Sequence, residues 1–210
     1  MINLKKRAAL VALSLAFLPL TAVASERLEQ ALQMEPPKVT GEPEEIQLEE
    51  QPKPEKTYLK WVCKGCTDVE NRVLEALQER GIEDRVALSV IMGNIKQESR
   101  FNTTICEGGV RTGYHGCHRG GFGLIQWTTV GRYNGLGATA RGLKLDPNSI
   151  EAQLAWMFRE VEWKSVEHKF KTPGQSASYY MNAAYRWLGW GVHGARSHYA
   201  NQYVHYLQAP

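Results

Sequence analysis

The sequence predicts an all-α domain with one glycine-rich, disulfide-closed loop, preceded by an export signal and a disordered acidic spacer. Three observations carry this reading. Apolar residues recur at helical spacing from residue 67 towards the C-terminus, with no period-2 strand of any length. Glycines crowd a single stretch, residues 107–123. Four cysteines form an even set, all at or beyond residue 63.

Taken in order, the chain opens with Lys5, Lys6 and Arg7, an apolar run over residues 8–18, and Ala22-Val23-Ala24 before Ser25. A basic start, a short apolar stretch and a small-residue cleavage site make residues 1–24 a secretory signal. The run is too short to favour a membrane span, and an uncleaved anchor is the competing reading. The expected location is periplasmic or secreted, with no stable membrane span after signal removal. Residues 25–56 follow as a spacer. Residues 26–56 hold nine acidic against four basic side chains and five of the nine prolines, with no aromatic residue. Such a segment buries too little apolar surface to offset its ordering entropy. A short helix over residues 26–34 is the one element it offers.

Residues 57–210 hold every tryptophan, tyrosine and cysteine and carry a net charge of +5. This length suffices for one domain with a proper core. The charge is compatible with an anionic polymer but falls far short of the basic density of a nucleic-acid-binding surface. Thr67-x-x-Glu70 is a capping box, and the helix it opens stops at Gly81. The next segment, EDRVALSVIMGNIKQES, is apolar on nearly every side from Val86 to Ile95 and predicts a central buried helix. After the glycine-rich loop comes a weaker, glycine-diluted helix, RYNGLGATARGL. NSIEAQLAWMFREVEW, opening at Asn148-x-x-Glu151, reads as one amphipathic helix. Two aromatic-rich helices close the chain. A short hairpin inside residues 103–123 is an alternative to an irregular loop.

In an exported protein, four cysteines point to two disulfides. Cys106 and Cys117 bracket the glycine-rich loop, where a bridge contributes roughly 3 kcal/mol. Cys63 and Cys66 are left to pair locally, with cross-pairing as the alternative. Zinc ligation by the cysteines with His115 and His118, and a Cys63-x-x-Cys66 redox pair, are weaker readings. Neither a metal nor a cofactor is required. Cys117-His118 raises a thiol nucleophile, against which the even cysteine count argues.

The candidate for acid chemistry is Glu98 in NIKQESRFN. Three turns of apolar helix precede it, and burial raises a carboxyl pKa toward the range in which it donates a proton near neutrality. Gln97, Ser99 and Asn102 are polar neighbours able to orient it or a sugar amide. GGFGLIQWTTVGRY adds glycines for close backbone approach, Gln126 as donor and acceptor, and Trp127 and Tyr133 as flat faces.

Glu98-Ser99 with Phe101-Asn102, followed by GFGLIQW, resembles the lytic transglycosylase and goose-type lysozyme superfamily, closest to its phage-tail-type lysozyme branch. The likeness covers roughly residues 84–207. It implies a lysozyme-like helical fold that cleaves the MurNAc-GlcNAc backbone of peptidoglycan strands, with Glu98 as the catalytic acid. By the same resemblance Ser99 steadies the glutamate, residues 123–126 (Gly123 to Gln126) line the cleft, and Trp127 packs beside it. A Tyr-Glu pair common on the penultimate helix of the branch is NAAYRW here. Tyr185 stands for the tyrosine, and the glutamate is absent. Envelope-spanning or phage tail assemblies are the implied partners.

Hydrolysis usually needs a second carboxylate ~5–9.5 Å away. Between Glu98 and Asp146 the only acidic residue is Glu107. The single-glutamate reading is a lytic transglycosylase. A hydrolytic muramidase aided by Glu107 or Asp146, and a catalytically silent sugar-binding module on the same fold, are the alternatives.

Overall fold

The computed structural model describes residues 60–118 and 120–210. The signal over residues 1–24, the helix over 26–34 and the spacer over 25–56 lie outside the described residues. Seven α-helices dominate them: α1 (Asp68–Glu79), α2 (Arg85–Ser99), α3 (Val130–Leu143), α4 (Ile150–Met157), α5 (Val161–Phe170), α6 (Ala177–Leu188) and α7 (Arg196–Tyr206).

Local chemistry explains where each begins. Thr67 caps α1 with the complete reciprocal box to Glu70. That glutamate does more than cap. It also accepts the Tyr203 hydroxyl of α7 and pairs with Lys96 of α2 at 3.5 Å, so the start of α1 is fastened to both central helices. Asp84 caps α2 by accepting from the amides of Val86 (2.8 Å) and Ala87 (3.0 Å). As the apolar run requires, residues 87–95 of α2 are all buried.

α2 is the axis on which the rest packs, and α7 lies along it. Gly93 makes that possible, because a Cβ there would overlap the backbone of Ala200. Two of the glycines that dilute α3 have the same logic: a Cβ on Gly135 would enter the Trp156 ring, and one on Gly137 would meet the Tyr114 hydroxyl. Around this axis the core fills with Trp127, Trp163, Trp187, Tyr180, Tyr203 and Phe170, all essentially without solvent exposure.

Two expectations change. The segment from Asn148 to Trp163 is two helices, α4 and α5, broken at Glu160, which begins α5 without a side-chain capping bond. Its carboxylate is engaged elsewhere, as described below. The cap of α4 is Ser149, whose Oγ accepts from the amide of Ala152 (3.2 Å), while Asn148 accepts from the amide of Tyr114 (2.7 Å) and so secures the loop.

The loop contains the hairpin: β2 (Ile105–Cys106) pairs antiparallel with β3 (Val110–Arg111), Ile105 opposite Arg111. A second two-stranded ladder joins β1 (Val62–Cys63) to β4 (Leu207–Gln208), tying the two ends of the domain together. The four cysteines form two disulfides, Cys63–Cys66 and Cys106–Cys117, with Cα separations of 5.5 and 5.6 Å. With all four sulfurs bridged, neither thiolate ligation nor a thiol nucleophile has a donor. No helix among the described residues is long and apolar enough to cross a membrane.

The α2–α7 contact gives a stability test. Gly93→Val should lower stability by about 1–3 kcal/mol or more, because the forced separation cannot be absorbed by a side-chain rotation. Gly142→Ala, where a Cβ meets nothing within 4 Å, should raise it by about 0.5–1 kcal/mol. Urea denaturation of both variants measures the contrast.

Candidate active site

Glu98 sits in the last turn of α2, and the chain leaves the helix there by an unusual path. Arg100 and Phe101 both have positive φ, 52° and 61°, as does Gln126 at 54° in the facing turn. Such non-glycine conformations are sparsely populated and persist where the surroundings enforce them. The amide of Asn102 donates to the carbonyl of Ser99 (3.0 Å), and Phe101 is buried against Tyr203 in an edge-to-face contact at 6.1 Å.

The facing turn, residues 123–126, is built against that helix end. Ser99 Oγ donates to the carbonyl of Leu124 (2.7 Å). The amide of Gly123 donates to Ile105 (2.8 Å), and Gln126 Nε2 donates to Gly123 (3.0 Å) and Ile105 (3.3 Å). Gly123 has φ +70°, and a Cβ there would come within 2.7 Å of Gln153 Oε1. Gln153, fully buried on α4, supports the whole turn. Its Oε1 accepts from the amide of Leu124 (2.8 Å), and its Nε2 donates to Thr103 (2.7 Å) and Pro147 (3.0 Å).

Within this frame the Glu98 side chain keeps 16% of its surface exposed, and its Oε1 accepts from Nη2 of Arg196 at the start of α7. Burial pushes the Glu98 carboxyl above its ordinary value. The charge and hydrogen bond of Arg196, and the more distant charge of Arg132, pull the other way without reversing it. A carboxyl held partly out of water yet open on one side is suited to proton transfer.

The second buried carboxylate behaves differently. Glu160 is 1% exposed, and each oxygen holds two donors. Oε1 accepts from Arg132 Nη2 (2.8 Å) and Trp187 Nε1 (2.9 Å). Oε2 accepts from Arg132 Nε (2.9 Å) and Trp127 Nε1 (3.0 Å). Fully engaged and enclosed, it is structural. Glu107 accepts from the amide of Gly121 (3.1 Å), and Asp146 accepts from the backbone and side chain of Asn148 (2.9 and 2.8 Å). Both serve turns.

The structure therefore fastens Ser99, next to Glu98 at the end of α2, to the turn that holds Gly123 and Gln126, and it revises several expected roles. Trp127 is fully buried with its indole N–H on Glu160, so it offers no face to a substrate. Tyr133 stacks on Tyr114 at 4.3 Å and donates to the carbonyl of Cys117 (3.2 Å), closing the loop from inside. The Ser99 hydroxyl serves the Leu124 carbonyl rather than the glutamate. Asn102 Oδ1 accepts from the amide and hydroxyl of Thr104 (2.9 and 3.1 Å) and shapes the turn after the helix. Tyr185 is 53% exposed and meets Trp190 edge-to-face at 5.2 Å, and Trp190 in turn lies under the Arg196 guanidinium at 4.4 Å. Sequence reasoning missed Arg196, Glu160, Gln153 and Trp190 as parts of the site. The glycine-rich break GWGVHG before Arg196 is a signal that could have pointed to a built loop there.

The family model described as phage tail lysozyme matches residues 68–207, well over half of the chain. Searches among curated proteins and among solved structures returned no match.

The Glu160 network predicts a large stability effect. Glu160→Gln removes the nearest counter-charge of half-buried Arg132, leaving it Glu162 at 4.0 Å. It also turns one buried acceptor into a donor facing an arginine and an indole N–H, and should cost about 3–5 kcal/mol, read from urea denaturation of the purified variant.

Proposed function

The chain belongs to the phage tail lysozyme family, and from that premise we propose that it is an exported peptidoglycan glycosidase acting as a lytic transglycosylase. A lysozyme-like activity on peptidoglycan is what the family supports. The single-glutamate reaction rests on one observation: Glu98 is the partly open carboxyl with raised proton affinity, while Glu160, Glu107 and Asp146 are each committed to other groups.

In this reading Glu98 protonates the glycosidic oxygen between MurNAc and GlcNAc, and the C1–O bond breaks with departure of the GlcNAc hydroxyl. The N-acetyl carbonyl of the muramic sugar stabilises the developing cation. The C6 hydroxyl of the same sugar then attacks C1 and returns its proton to the Glu98 carboxylate. The acid is regenerated, no water is consumed, and the product is a 1,6-anhydro sugar. In the same reading residues 123–126, bonded to Ser99 beside Glu98, line the cleft, and exposed Tyr185 beside Trp190 supplies an aromatic edge for sugar contact. The export signal read in residues 1–24 would place the domain in the periplasm or outside the cell, where an envelope-spanning or phage tail assembly needs the wall opened.

The hydrolytic alternative is kept by the family description itself, and one spectrum distinguishes the two. Mass analysis of released muropeptides should show ends lighter by one water than hydrolysed ends. Full-mass reducing ends would make the enzyme a muramidase. Glu98→Gln should reduce wall clearance by more than about 10³-fold. No clearance by the wild-type protein beyond the background of the variant would leave a sugar-binding module instead.

The pH dependence follows from the direction of the Glu98 shift. The protonated form is the active acid, so activity is lost as pH rises through the Glu98 value. Because burial raises that value, the alkaline limb should lie above the ordinary carboxyl range. A profile of kcat/KM against pH checks this, and its alkaline limb should vanish from any residual activity of Glu98→Gln.

A further inference from the structure

The guanidinium of Arg196 is committed far beyond one ion pair. Nη1 donates to the carbonyls of Val192 (3.0 Å) and His193 (2.9 Å), Nη2 donates to Glu98 Oε1, and the group lies 4.4 Å from the centroid of Trp190. Its side chain is 5% exposed, and its buried Nε has no hydrogen-bond partner among the described residues. Next to it, Gln97 Oε1 accepts from the amide of Ala195 (2.8 Å). The loop between α6 and α7 is thus fastened to the end of α2 at two consecutive residues, 97 and 98. A helix start alone does not demand this, since Ala195 caps α7 without any side-chain bond.

We propose that Arg196 is a positioning residue for Glu98: by holding Oε1 it presents Oε2 to the glycosidic oxygen, and it then stabilises the carboxylate left when the proton has gone. The inference rests on the reading of Glu98 as the acid. A lysine could supply the charge but not the arrangement, because only a planar fork reaches two loop carbonyls and a carboxylate from one fixed plane. The charged groups acting on Glu98 are Arg196 from α7 and, at longer range, Arg132 from α3. Arg132 is itself held by Glu160, and Lys96 on α2 is paired with Glu70. The imidazole of His193 faces Trp190 and Ser197. Arg196 is therefore the cation bonded directly to the acid.

The test uses the purified protein with two variants, Arg196→Met and Arg196→Lys, and two readouts. One is kcat and KM on peptidoglycan across pH. The other is 13C-carboxyl NMR titration of Glu98, assigned by the resonance that disappears in Glu98→Gln. Arg196→Met should lower kcat about 10–100-fold with KM changed less than about threefold. Its Glu98 titration and its alkaline limb should both move to higher pH, since losing the cation favours the protonated acid. Arg196→Lys should keep the titration near that of the wild type yet still lose kcat, which separates orientation from charge. Should Arg196→Met fail to fold, the lysine variant carries the test by that same separation. Wild-type kcat in either folded variant overturns the proposal, as does a kcat loss that merely tracks the unfolded fraction while the Glu98 titration stays fixed. Full activity persisting in Glu98→Gln would instead sink the reading of Glu98 as the acid, and the titration would still report whether Arg196 governs Glu98.

Discussion

A buried carboxylate organises this domain. Glu160 accepts four hydrogen bonds from three directions: Arg132 on α3, Trp187 on α6, and Trp127 at the end of the turn that faces Glu98. An ion removed from water is tolerable only when every lone pair is matched, and here the match is complete. The consequence for the chain is direct. Helical continuity from α4 to α5 is broken at the residue that must point inward, and two large indoles are fixed by their polar edges as well as by packing. The wall of the site is then held from behind by α3 and α6 and from below by Gln153 of α4.

This arrangement divides labour between glutamates. Both Glu98 and Glu160 are shielded from water, yet they differ in what remains unmatched. Glu160 has donors on both oxygens and is locked. Glu98 has a bonded donor on one oxygen and keeps part of its surface open. Burial of an incompletely matched carboxylate favours the protonated form, and such a group can give its proton away. The positive-φ residues Arg100, Phe101 and Gln126 belong to the same economy. They bend the chain sharply enough to bring the end of α2 and the turn at residues 123–126 together, and the hydrogen bond from Ser99 to Leu124 holds the two in place.

Much of the fold was legible in the sequence because local rules decide it. The Thr67 capping box, the buried helix through residues 87–95 and the bridge from Cys106 to Cys117 each follow from a pattern within a dozen residues. The setting of Glu98 was legible, a carboxyl ending an apolar helix and followed by a glycine-rich turn. What escaped notice depends on long-range partners. In FREVEW nothing marks Glu160 as the buried member, since its partners stand at residues 127, 132 and 187. Trp127 looked like a sugar platform because an aromatic beside a glycine turn suits either a surface or a core, and only the carboxylate behind it decides. The same holds for Asn148, read as a cap and used instead to receive the Tyr114 amide.

The close approach of α2 and α7 connects core to site. Gly93 lets the Ala200 backbone settle against α2 one and a half turns before Glu98, and from there α7 runs back to place Arg196 on the acid. A side chain at residue 93 would overlap the α7 backbone at Tyr199 and Ala200, one turn from Arg196. Packing in the core and orientation of the carboxyl are thus set by one helix pair. The geometry of the Glu98 carboxyl is a property of how α7 seats on α2, with the loop at residues 189–195 carried along by its bonds to Gln97 and Arg196.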